Sequence, residues 1–173
     1  MANNVGIDLS AVRDLNLVGL LTSLEGLNAR LCITSTACER SKFQSVPFTV
    51  SPDDEDGIYL ITLTSEEMEE VYEMSLTYRE ITFTECTVLY MAAKYCQAIV
   101  TADPCMIKVA GKLNIAVYGY EWALEQLVVS GILTTTTASM KFQEIKTTVN
   151  PAFFRDRKAA INFRLQKAEE AIA

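Results

Sequence analysis

The chain has 173 residues, half of them hydrophobic and 21% charged, with a net charge of −7. That length fits one domain with a short appended arm, and the composition excludes a wholly disordered chain. Histidine is absent, which excludes Ser–His–Asp and Cys–His catalysis, His-ligated zinc, haem on a proximal His and His-based pH sensing.

Acid, base and metal-ligand roles therefore fall to carboxylates, thiols, Lys, Tyr and hydroxyls. The five cysteines are Cys32, Cys38, Cys86, Cys96 and Cys105, and none forms a C-x-x-C pair. A four-thiolate zinc site is not expected. Their apolar neighbours predict buried thiols in a reducing compartment. The opening Met1-Ala2-Asn3-Asn4 has no basic region followed by an apolar run, so no signal peptide is expected. No stretch of 18 apolar residues occurs, no membrane span is expected, and the expected location is the cytoplasm. Charge is unevenly placed. Residues 53–73 hold nine acids and no base, whereas residues 141–173 hold seven of the 15 basic residues against four acids. The acidic body opposes phosphate attraction, so basic contacts to a nucleic acid must come from the C-terminal segment.

In chain order, residues 5–7 (VGI) form a short apolar strand ending at Asp8. A helix is predicted over 11–24, with Leu17, Leu20, Leu21 and Leu24 on one face. Residues 30–34 (RLCIT) read as the second strand and 34–43 as a short helix. Residues 44–57 contain two prolines and the acidic run 53–56, and read as loop. The third strand is 58–63 (IYLITL), followed by a helix capped by Ser65 with Met68, Val71, Tyr72 and Leu76 at helical spacing. Thr82-x-x-Glu85 predicts a capping box opening a helix to about Cys96. Residues 98–101 (AIVT) are the fourth strand, and Asp103-Pro104 opens the next helix. The fifth strand is 115–118 (IAVY), and the helix 121–130 is closed by Gly131. Helices over 137–148 and 153–172 complete the chain. Strands alternating with helices predict an α/β fold with a mainly parallel five-stranded sheet. The expected division is a domain over 1–140 and a C-terminal helical extension over 141–173.

In an open parallel sheet, ligands bind outside the carboxyl ends of the strands, where strand order reverses. Asp8 ends the first strand, Asp103 follows the fourth, Glu39 falls in the helix after the second, and Glu85 opens the helix before the fourth. If the first and fourth strands are neighbours, these four acids converge. Clustered carboxylates repel, and a divalent cation removes that penalty. Oxygen-only ligands favour Mg²⁺ or Mn²⁺, the ions of phosphodiester hydrolysis. Each acid also has an ordinary reading: Asp103 as an N-cap, Glu85 as a capping-box residue, Glu39 as an exposed surface residue. Asp8, directly after an apolar strand, is the hardest to dismiss. The acidic run 53–56 lacks an EF-hand pattern and reads as a solvated loop. Trp122, the sole tryptophan, reads as packing on the sheet. Neither G-x-G-x-x-G nor a Walker motif occurs.

At these residues the chain resembles the PIN-domain ribonucleases, particularly the toxins of toxin–antitoxin pairs. The best stretch is 100–133 (VTADPCMIKVAGKLNIAVYGYEWALEQLVVSGIL), where Asp103, Ala110, Ile115, Val117, Gly119, Trp122, Leu127 and Gly131 match. VGIDLS resembles the opening strand with its acid, TACE (36–39) the second-acid motif, and 81–93 the helix bearing the third acid. Leu9 stands where a small or hydroxyl residue is common, Glu85 where Asp is usual, and Pro104-Cys105 where basic residues are common. The resemblance implies a three-layer α/β/α sandwich and a Mg²⁺- or Mn²⁺-dependent endoribonuclease with Asp8, Glu39, Glu85 and Asp103 as catalytic metal ligands. It also implies a homodimer and an antitoxin protein partner. Arg155, Arg157 and Lys158 are the expected RNA-binding residues. The alternative is a catalytically weak protein of the same fold acting through protein contacts. A dehalogenase-type phosphatase would need a second acid after Asp8-Leu9, and a phospho-receiver an Asp ending the third strand; neither is present.

Overall fold

The computed structural model describes residues 3–40, 57–148, 165–167 and 170. The loop expected over 44–56, the basic residues Arg155, Arg157 and Lys158, and most of the helix expected over 153–172 lie outside them. Five strands form one sheet: β1 (Asn3–Ile7), β2 (Ala29–Thr34), β3 (Tyr59–Ile61), β4 (Ala98–Val100) and β5 (Ala116–Tyr118). All four pairings are parallel and the order is β3-β2-β1-β4-β5. The protein is thus an α/β fold with a parallel sheet flanked by helices, as the alternating pattern predicts.

The helices are α1 (Leu9–Leu17), α2 (Ser35–Arg40), α3 (Ser65–Thr77), α4 (Phe83–Tyr95), α5 (Pro104–Lys112), α6 (Tyr120–Val129) and α7 (Thr135–Thr148). α4 lies over the sheet centre, against β1, β2 and β4, with α2, α3 and α5 beside it. Gly6 explains how α4 comes so close: a Cβ there would meet Ala92 Cβ at 3.2 Å and Met91 Cε at 3.3 Å. Successive strand side chains alternate faces, so Val5 and Ile7 point away from α4. Both are buried on the opposite face of the sheet. α6 packs against α7 and β5, and the Tyr120 hydroxyl of α6 donates to Asp14 of α1 at 2.7 Å. Leu165 is also fully buried and joins the core.

The first helix is shorter than its leucine spacing predicts. α1 stops at Leu17, and a 3-10 turn follows at Thr22–Gly26. Gly19 takes φ +68°, its N–H bonds Asn16 O at 3.0 Å, and Leu20 N–H bonds Leu15 O at 2.9 Å. This is a Schellman stop, which glycine adopts without a Cβ penalty. Leu17 is consequently 61% exposed rather than buried with its neighbours. The same closure ends α6 at Gly131, as expected, and α5 at Asn114 (φ +57°). α3 is capped by Thr64, not Ser65, through a full capping box with Glu67. Tyr72 and Leu76, assigned to its apolar face, are 56% and 46% exposed, while Val71 is buried. The thiols are less uniform than expected: Cys32 and Cys86 are buried, Cys38 and Cys96 half-buried, and Cys105 exposed. Cys105 is in the first turn of α5, on its solvent side.

Candidate functional site

The chain runs β1 to β2 to β3 in one direction and returns to β4 and β5 in the other. The order reverses between β1 and β4, which is where an open parallel sheet leaves a crevice at its carboxyl ends. Asp8 is the first residue beyond β1, and its N–H continues the ladder to Val100 O at 3.0 Å. Its backbone caps α1, but its side chain makes no capping bond. The residue is only 3% exposed, and its carboxylate bonds side chains of the crevice instead. Oδ2 accepts the Ser10 hydroxyl and the Thr101 hydroxyl at 3.2 Å. Burial pushes the Asp8 carboxyl above the ordinary carboxylate range. The Ser10 hydroxyl and N–H draw it back, the nearby charge of Glu85 raises it further, and the Thr101 hydroxyl opposes the rise.

Asp103 stands across the crevice, two residues beyond the end of the Thr101 ladder. Thr101 Oγ1 accepts the Asp103 N–H at 3.1 Å while its hydroxyl serves Asp8. One buried threonine therefore links the Asp8 carboxylate to the backbone of Asp103. Asp103 Oδ1 accepts the Met106 N–H at 2.8 Å, capping α5, with Pro104 at the first helical position. The ordinary reading of Asp103 thus holds for one oxygen.

Glu85 is a capping-box residue, as its motif predicts. Its Oε2 accepts the Thr82 N–H at 2.6 Å and the Thr82 hydroxyl at 2.9 Å, and its own N–H bonds Thr82 Oγ1 at 3.2 Å. Its charge nevertheless reaches Asp8. Glu39 is exposed on α2; burial, and after it the charge of Glu39, push the Cys38 thiol up to about 11. The structure thus joins Asp8 to Asp103 through Thr101, places Glu85 within electrostatic range of Asp8, and leaves Glu39 on the surface of α2. Among the described residues, no group of three or more Asp, Glu, Cys or His side chains is spaced to hold a metal ion.

Sequence reasoning missed three members of this region. Thr101 was read only as the end of a strand, although a hydroxyl two residues before an acid at a strand end is a signal for such a tie. Asp14 is 5% exposed, accepts the Tyr120 hydroxyl, and lies 3.5 Å from Arg13 Nε. Burial, the bond to Asp14 and the charges of Asp14 and Asp8 all push the Tyr120 phenol upward. Nothing in the sequence marks this pair, because the partners are 106 residues apart. Trp122 is half-buried and stacks on Tyr118, with ring centroids 4.8 Å apart and planes 13° from parallel. No helix among the described residues is long and apolar enough to cross a membrane. Comparison of the chain with models of protein families, with curated proteins and with solved structures gives no match.

Proposed function

We propose that the protein is a Mg²⁺- or Mn²⁺-dependent endoribonuclease acting at the β1–β4 crevice, of the kind found as the toxin of a toxin–antitoxin pair. The observation that carries the reading is the linked pair of acids, Asp8 and Asp103, at the reversal of strand order. The donors are carboxylate and hydroxyl oxygens, which suit a hard cation. A buried carboxylate with a raised pKa is also one that a cation would return to its charged form. The residues therefore fit the ion. Asp8 and Asp103 would hold it, with the charge of Glu85 nearby, while Glu39 stays on the surface of α2. When bound, a divalent cation supplies charge neutralisation and Lewis acidity to a phosphodiester.

The chain's own contribution is positional. Ser10 and Thr101 both donate to Oδ2 of Asp8, which fixes the carboxylate plane. The Met106 N–H holds Oδ1 of Asp103, which leaves its second oxygen for the crevice. Asp8→Asn should abolish Mn²⁺-dependent cleavage of a single-stranded RNA, by at least about a hundredfold, while circular dichroism stays unchanged. Full cleavage by the folded variant would overturn the assignment.

A second reading, a weakly catalytic protein acting through contacts, is favoured by one feature. A groove of about 760 Å³ runs along α3, lined by Glu66, Glu69, Glu70, Glu73, Tyr72 and Phe83 among others. Its acidic walls and apolar floor suit a basic, amphipathic protein segment such as an antitoxin would offer. On this reading Glu69→Lys with Glu73→Lys disrupts the partner complex, while Asp8→Asn changes no activity. The homodimer belongs to the same proposal. Leu17, Val129, Ile132 and Met140 are exposed apolar side chains near the ends of α1 and α6 and on α7, and light scattering at micromolar concentration should give twice the 19.2 kDa chain mass.

A further inference from the structure

We infer that Tyr118 and Trp122 form a base-stacking subsite for single-stranded nucleic acid beside the β1–β4 crevice; the inference deepens the nuclease reading and rests on it. Tyr118 is the last residue of β5, and its carbonyl accepts the N–H of Thr101 at 3.1 Å. The aromatic pair therefore stands one strand away from the threonine that ties Asp8 to Asp103. Trp122 lies in the first turn of α6, four residues on, across the tight turn at Gly119. The Trp122 N–H bonds Gly119 O at 3.1 Å, which fixes the turn and brings the indole over the phenol ring. The rings are offset-stacked, 4.8 Å apart and nearly parallel, and both residues keep part of their surface exposed.

Charge gives the pair its purpose. The chain carries a net charge of −7, and the crevice is built from carboxylates, so the phosphate backbone is poorly attracted there. A nucleobase carries no such penalty. An aromatic face accepts any base, and stacking is tolerant of sequence because every base has a π-face. A pre-stacked pair offers that face with its side-chain freedom already spent. A base seated on it places the attached strand next to Asp8 and Asp103.

Trp122 is the only tryptophan, so its fluorescence reports on this site alone. The probe is an eight-nucleotide 2′-O-methyl RNA, checked to be intact after titration, with Mg²⁺ present. Binding to the wild-type protein should quench Trp122 saturably. With the same oligonucleotide carrying a fluorophore, Trp122→Leu should weaken binding about tenfold or more, whereas Trp122→Phe, which keeps a ring, should stay within about threefold of wild type. An abasic oligonucleotide of equal length and charge should bind wild type and Trp122→Leu alike. No quenching of wild type, or equal binding of the base-bearing and abasic strands by wild type, overturns the subsite without any variant having to fold. The measurement needs no turnover. Quenching without cleavage would therefore refute the nuclease and leave the subsite, and cleavage without quenching would do the reverse.

Discussion

Asp8 carries an electrostatic cost that its neighbours only partly offset. Burial raises its carboxyl above the value it has in the unfolded chain. The folded protein then keeps a proton that the unfolded chain has released, so stability falls as pH rises from the ordinary value through the raised one. Above the raised value the full cost is present. Asp8→Asn removes it, so the metal-free variant should melt higher than wild type at pH 7, by about 2–4 °C for each kcal/mol recovered in a chain of this size. The two proteins should converge as pH falls below the ordinary carboxylate value. A variant that loses activity and gains stability separates a functional residue from a structural one. At Gly6 the constraint is steric. Met91 Cε can swing away from an added methyl, but Ala92 Cβ is fixed to the backbone of α4 at 3.2 Å. Gly6→Ala should therefore push α4 off β1 and cost about 1–3 kcal/mol, read as a lower urea midpoint with an unchanged slope.

Helix starts were legible in the sequence and some helix ends were not. Starts depend on a side chain meeting an amide three residues on, which is a local pattern: Thr82-x-x-Glu85 and Asp103-Pro104 both act as they read. The stop at Gly19 was masked because Leu20, Leu21 and Leu24 continue the apolar spacing through the turn, and all three are buried, Leu24 from the 3-10 turn and Leu20 and Leu21 from the segment before it. Neither the β1–β4 pairing nor the Thr101 tie could be read, since both join residues 93 positions apart. The caps give the clearest stability tests. Thr82→Ala loses the two bonds that the Thr82 hydroxyl makes with Glu85, keeps the Thr82 N–H bond to its carboxylate, and should cost about 1 kcal/mol in urea unfolding. Glu67 closes the box of α3 and also clamps α4. Its carboxyl is held down to about 2 by Lys94 at 2.8 Å, then by the Tyr95 hydroxyl and the Thr64 N–H. A depressed folded pKa contributes stability that is present above the unfolded value and lost as pH falls through the folded one. Glu67→Gln should thus melt below wild type at pH 7, and the gap should close as pH falls from 5 towards 2.

At the scale of the whole molecule, the outstanding asymmetry is charge. Seven of the 15 basic residues fall within 141–173, while residues 53–73 hold nine acids and no base. The proposed nuclease, with its acidic body, must hold RNA either by contacts indifferent to charge or by a basic surface set apart from the acids. The first is the role inferred for Tyr118 and Trp122. The second falls to the C-terminal segment, where Leu165 is buried in the core and so holds at least that point of the segment against the body. Arg155, Arg157 and Lys158 lie upstream of this anchor. The two modes differ in their response to salt. Phosphate contacts on a single strand each contribute about −0.7 to the slope of log K against log salt concentration, whereas base stacking contributes little. Replacing Arg155, Arg157 and Lys158 together by Gln should weaken RNA binding and make that slope shallower by up to about 2. Trp122→Leu should weaken binding and leave the slope as it was. An unchanged slope in the folded triple variant would confine the C-terminal segment to a structural role and leave the aromatic pair as the principal hold on the strand.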